Sequence, residues 1–136
     1  MTFTNEAVPQ ASGAVRGGVR VILRLEAFAV LVLATAGYFM LGGNPWLYAI
    51  AFFTPDLSFA GFVLGPRWGA AVYNAVHSYV APALLAAAGW YLQVDLLWQI
   101  ALIVAAHIGF DRSMGFGLKY ATGFQDTHLG SMGKLA

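Results

Sequence analysis

Cysteine is absent from this 136-residue chain, which excludes disulfides, thiolate zinc sites, iron–sulfur clusters and cysteine nucleophiles together. Charge is scarce as well. Seven Lys or Arg stand against six Asp or Glu, a net charge of +1, and the basic residues form no stripe interleaved with aromatics, so no nucleic-acid partner is expected. No Gly-x-Ser-x-Gly elbow occurs, and neither Ser78 nor Ser113 sits in a nucleophile motif, which argues against serine chemistry. The glycine-bearing stretch GFGLKYATGF lacks the strand and helix that a phosphate-cradling loop requires. Any metal would have to be held by histidine and carboxylate.

What the chain has is apolar length. Hydrophobic residues make up 60% and the mean hydropathy is +0.70, outside the usual range of a domain solvated by water. Four runs are long enough for membrane spans: about Val21 to Leu41, Trp46 to Leu64, Gly69 to Leu92 and Leu96 to Phe110. The connections GGNP, GPRW and QVD are so short that the helices must be antiparallel neighbours. The expected fold is therefore all-α, a four-transmembrane-helix up-down bundle over residues 21–112. Residues 1–20 would be an N-terminal tail, and residues 113–136 a C-terminal segment folded over the bundle mouth.

Arg16, Arg20 and Arg24 precede or enter the first run, Arg67 lies between the second and third, and Arg112, Lys119 and Lys134 follow the fourth. The other two loops carry no Lys or Arg, so the positive-inside rule places both termini in the cytoplasm of a bacterial inner-membrane protein. Trp46, Trp68, Trp90 and Trp98 fall near span ends, where amphipathic rings favour the headgroup zone. The ATA at Ala34 to Ala36 resembles a signal cleavage site, but Glu26 within that run favours a mature anchor.

Depth then sorts the polar residues. Glu26, Asp56, Asn74, His77, His107, Asp111 and Arg112 all fall in the half of the bundle nearer the termini. Tyr73, Asn74 and His77 share one helical face, and His107 and Asp111 are an i, i+4 pair on another. Pro55 and Pro82 interrupt backbone ladders beside Asp56 and His77, and broken ladders inside membranes face protein or a wet cavity. His128 and Asp126 follow the last run on the same side. The reading that uses all three histidines is a divalent metal site, zinc by ligand type. Its ligands would be His77, His107, His128 and Asp126, with Asp56 and Asp111 as catalytic carboxylates of a hydrolase-like centre. Glu26, Asn74, Arg112 and Lys119 would form the surrounding polar network. Haem held by His77 and His107 is a weaker alternative.

The blocks LRLEAFAVL, TPDLSFAGFVLGPRWGAAVYNAVHSYVAPALL, AHIGFDRSMGFGLKY and FQDTHLG resemble an uncharacterised bacterial family of small integral membrane proteins, domain-of-unknown-function family 4260. The resemblance covers Leu23 to Gly130. It implies a membrane bundle and no particular activity. Three non-metal alternatives remain open: ion pairs such as Glu26 with Arg112 and His107 with Asp111 that stitch the helices together without chemistry, an accessory subunit of a larger membrane complex or homo-oligomer, and a proton-coupled transporter using Glu26 and Asp56. The lipid bilayer is the expected partner in every reading.

Overall fold

A computed structural model describes residues 14–119 and 126–131 of the protein. All four apolar runs are helical, and two of them are broken. The first is α1 (Gly17–Met40). The second divides into α2 (Pro45–Phe52) and a 3-10 helix (Thr54–Leu64). The third divides into α3 (Pro66–His77) and α4 (Val80–Leu92), and the fourth is α5 (Asp95–Ser113). A short antiparallel hairpin of β1 (Asp126–Thr127) and β2 (Gly130–Ser131) follows.

The breaks sit where proline chemistry puts them. A proline ring clashes with the carbonyl four residues earlier and offers no N–H to it. For Pro82 that carbonyl belongs to Ser78, whose backbone turns extended at ψ 143° and ends α3. The Ser78 carbonyl is instead taken by the Ala81 N–H at 3.1 Å. For Pro55 the carbonyl is that of Ala51, which accepts the Thr54 hydroxyl at 2.7 Å. The chain then winds more tightly for 11 residues, a long run for a geometry that seldom exceeds three or four residues and often marks a functional hinge.

Helix α5 is the centre of the bundle, packed along α1, α4 and α2, while α3 pairs with the 3-10 helix. Contacts fix the directions. Arg24 near the start of α1 donates to the Ser113 carbonyl at the end of α5, and Tyr38 near the end of α1 meets Ile103. Gly109 permits the close approach of α1 and α5, because a Cβ there would lie 2.6 Å from the Ala27 carbonyl oxygen and 2.8 Å from the Leu31 nitrogen. Helices α1 and α5 therefore run antiparallel. The reversal between the 3-10 helix and α3 uses Gly65 at φ 107°, a backbone region closed to most side chains.

Among the described residues, Pro45–Leu64 is the one helical stretch long and apolar enough to cross a membrane. The third run, which had the length of a span in sequence, is divided into pieces of 12 and 13 residues. Outward-facing side chains are nonetheless strongly apolar: Leu33, Met40, Ile50 and Val63 are all more than two-thirds exposed.

Candidate metal centre

Both breaks converge on α5. The turn after α2 delivers Asp56 from the first turn of the 3-10 helix, and His77 is the last residue of α3. His107 and Asp111 stand one turn apart on α5. One donor atom from each of these four residues lies within 4.8 Å of every other. His77 Nε2 is 3.3 Å from His107 Nε2. It is 3.6 Å from Asp56 Oδ1 and 3.5 Å from Asp111 Oδ2. His107 Nε2 lies 3.2 Å from Asp56 Oδ1 and 3.1 Å from Asp111 Oδ2. Four ligands at 2.0–2.2 Å from a tetrahedral zinc ion stand about 3.3–3.6 Å apart. The five separations that involve a histidine nitrogen, 3.1–3.6 Å, lie close to that edge length.

Proton bookkeeping sharpens the geometry. His77 Nδ1 is 3.0 Å from the Tyr73 carbonyl oxygen, which can only accept, so the ring donates there and its neutral form leaves a lone pair on Nε2. A ligating histidine held through its other nitrogen by a backbone carbonyl is the usual outer support of a metal site. The ring is further fixed by the Tyr73 ring, stacked on it at 3.8 Å with an interplanar angle of 9°, and Tyr73 is stacked in turn on Phe59 at 5.4 Å. Phe52 supports His107 edge-on at 5.1 Å. His107 Nδ1 is buried beside the Phe52 backbone carbonyl, outside full hydrogen-bond geometry. With His77 neutral, the lone pair of its Nε2 faces His107 Nε2 and two carboxylate oxygens. A dication would complete such a group.

Access is uneven. The side chains of His77 and His107 are 3% and 2% exposed, Asp111 is 13% exposed and Asp56 is 40% exposed. The exposed ligand is therefore the one carried on the 3-10 segment.

The other residues singled out in the sequence stand around this group. Asn74 clasps the backbone of Lys119 with two hydrogen bonds of 2.7 Å. That holds the chain after α5 against α3. The Lys119 ammonium lies 4.6 Å over the Tyr73 ring, and its burial pushes the pKa down to about 8, against the attraction of Asp111. Arg112 donates to the His77 carbonyl at 3.3 Å and stacks 4.5 Å over Tyr79.

His128 stands apart from the four donors. Its Nδ1 accepts the Leu118 N–H at 2.8 Å, a role that needs a neutral ring, and burial followed by the charge of Arg112 lowers its pKa. Asp126 belongs to β1, with its side chain outside the described residues, as are Lys134 and residues 1–13 of the N-terminal tail. Glu26 is exposed on α1 and makes no ion pair with Arg112. For haem, two Nε2 atoms 3.3 Å apart with carboxylates beside both leave no room for a macrocycle between them.

Ser58 and Tyr79 were not picked out by sequence. Buried Ser58 reaches His77 Nδ1 at 3.5 Å, and its place one turn beyond Pro55 becomes informative only once the 3-10 winding is known.

A family described as a domain of unknown function (DUF4260) matches residues 20–132. The chain belongs to that family. All four donors of this DUF4260 chain, together with His128, fall inside the matched region. Neither the curated proteins nor the solved structures yielded a match.

Proposed function

We propose that this protein is a small multi-pass membrane metalloprotein, with one divalent cation, zinc by ligand type, held by His77, His107, Asp111 and Asp56. The observation that carries the proposal is the set of four donor atoms from three helical segments, in which both histidine nitrogens lie 3.1–3.6 Å from each other and from the two carboxylate oxygens, close to the edge of a tetrahedral zinc site. Membrane placement is supported by the apolar outward surface, the crossing-length stretch Pro45–Leu64 and the one-sided distribution of Arg and Lys. Broken helices that meet at a polar site are how membrane proteins bring ligands to mid-bundle. In this reading both termini lie on the cytoplasmic side and the bilayer is the main partner.

The chemistry follows from the unequal burial. His77, His107 and Asp111 are the fixed ligands, and Asp56, the most exposed of the four, is the ligand that yields to water. A metal with three protein ligands and one exchangeable position turns bound water into a nucleophile near neutral pH. Asp56, displaced by a short swing of its side chain, would then accept the water proton. This makes the centre hydrolase-like, working at the cytoplasmic face.

The test is elemental analysis of protein extracted gently from membranes of cells grown without added metal. About one zinc per chain is expected, falling to background in His77→Ala and His107→Ala. A wild-type preparation with sub-stoichiometric zinc, iron and manganese would refute the reading.

A further inference from the structure

Beside the metal centre lies a second polar space that the four donors do not use. A cavity of about 140 Å³ is bounded by α1, the α3–α4 break, the end of α5 and the hairpin turn, and is lined by Glu26, Tyr79, Arg112 and His128 with Leu23 and Val30. Three features set it apart from a packing defect. The Tyr79 hydroxyl is buried and has no hydrogen-bond partner, although a buried donor left unmatched is costly and rare. The Arg112 guanidinium is partly buried, stacks on the Tyr79 ring and pairs with no carboxylate among the described residues; its hydrogen bond among those residues goes to the neutral His77 carbonyl. Glu26 lines the same space from its exposed side without closing onto Arg112. Opposite charges that share a cavity and do not touch leave room for a ligand between them.

We infer that this cavity binds a phosphoethanolamine unit, with its anionic oxygens against Arg112, Tyr79 and His128 and its ammonium against Glu26. Arg and hydroxyl donors suit phosphate oxygens, and the guanidinium supplies the charge-assisted bonds. His128 can contribute only Nε2, because Nδ1 already accepts the Leu118 N–H. A single acidic residue at the exposed side selects an amine-bearing headgroup over a glycerol or an uncharged one. The unit could arrive as the headgroup of a phospholipid or as the free compound. The lipid source rests on the membrane reading above, whereas the pocket chemistry depends on neither the membrane nor the metal.

The experiment uses the full chain in two settings. In detergent, calorimetric titration with phosphoethanolamine and with inorganic phosphate reads the pocket itself. In nanodiscs of mixed phosphatidylethanolamine, phosphatidylglycerol and phosphatidylcholine, mass spectrometry of the retained lipid reads the source. Wild-type protein is expected to bind phosphoethanolamine. Tyr79→Phe should weaken that binding about tenfold, the worth of one hydrogen bond to a charged group, without lowering the melting temperature, since it removes an unmatched polar atom. Glu26→Gln should weaken phosphoethanolamine and leave inorganic phosphate unchanged. Enrichment of phosphatidylethanolamine supports the lipid source, and binding of the soluble compound alone supports the free one. Absence of both, or a Tyr79→Phe variant that binds like wild type, overturns the inference. Metal content measured on the same samples separates this failure from a failure of the metal centre.

Discussion

Around the first half of α5, buried polar atoms close on themselves. The Tyr38 hydroxyl donates to the Asn44 carbonyl at 2.7 Å, and Thr35 and Tyr48 share a hydrogen bond of 2.7 Å between their hydroxyls. Asn44 caps α2 through Trp46 and Leu47. Aromatic rings fill the remaining space around Tyr38, Ala51 and Ile103. Around the second half of α5 the arrangement is opposite: four atoms that are mostly acceptors face one another, with Arg112 and Lys119 turned to carbonyls and rings. Burial demands a partner for each polar atom. One region meets the demand with pairs complete within the protein, and the other presents a group that a cation would complete. The first needs nothing further to be stable, and the second has the form of a binding site.

Substitutions should therefore have different consequences in the two regions. The largest effect is expected for His107→Ala, which removes the donor closest to both carboxylates and should abolish metal retention outright, as read by elemental analysis. Asp56→Asn should bind metal more weakly while keeping it, because the three less exposed ligands remain; complete loss would show that Asp56 is not the yielding ligand. Gly109→Leu strikes the shared axis of both regions. Its side chain would enter the Ala27 and Leu31 backbone, so a loss of about 3 kcal/mol is expected in detergent unfolding, in the upper range for overpacking. Tyr38→Phe in the closed region should cost about 1 kcal/mol and leave metal content untouched; a change in metal content there would erase the distinction.

The smallest effect concerns the hairpin. His128 has its pKa lowered below the ordinary 6.5 by burial and then by Arg112, so the fold favours the neutral ring. Its contribution is present above pH 6.5 and lost as pH falls through the lowered folded value. Protonation also ends the acceptor role of Nδ1 toward Leu118, while Glu26 across the cavity is the acidic group that would temper the new charge. Hydrogen exchange at the Leu118 amide, corrected for its intrinsic rate, should accelerate on acidification below pH 6.5, and His128→Phe should remove that dependence.

The regular parts of this architecture were legible because apolar runs and helical spacing are local properties. The four runs are helical, and Asp56, His77, His107 and Asp111 form a His/Asp cluster because short loops stack segments of matched depth. Pro55 and Pro82 announced the breaks, but nothing in their neighbourhood specified that the chain would continue as a 3-10 helix after Pro55 and as a second α-helix after Ser78. That winding sets where Asp56 and Ser58 point. His128 lay beyond the reach of periodicity. Its position depends on irregular backbone held by Val15, Arg20 and Leu118, with Arg20 and Leu129 alone 109 positions apart, and no repeating pattern encodes such contacts. Tyr79 was invisible for a related reason: a lone tyrosine in the middle of an apolar run gives no signal of its own, and its unmatched hydroxyl is a property of the assembled cavity.

X-ray absorption at the zinc edge, on protein purified with its native metal, tests the central claim most directly. The account predicts four nitrogen or oxygen neighbours at about 2.0–2.2 Å, with the outer-shell scattering of two imidazole rings that disappears in the His77→Ala and His107→Ala double variant. A six-coordinate shell, or one without histidine scattering, would contradict it.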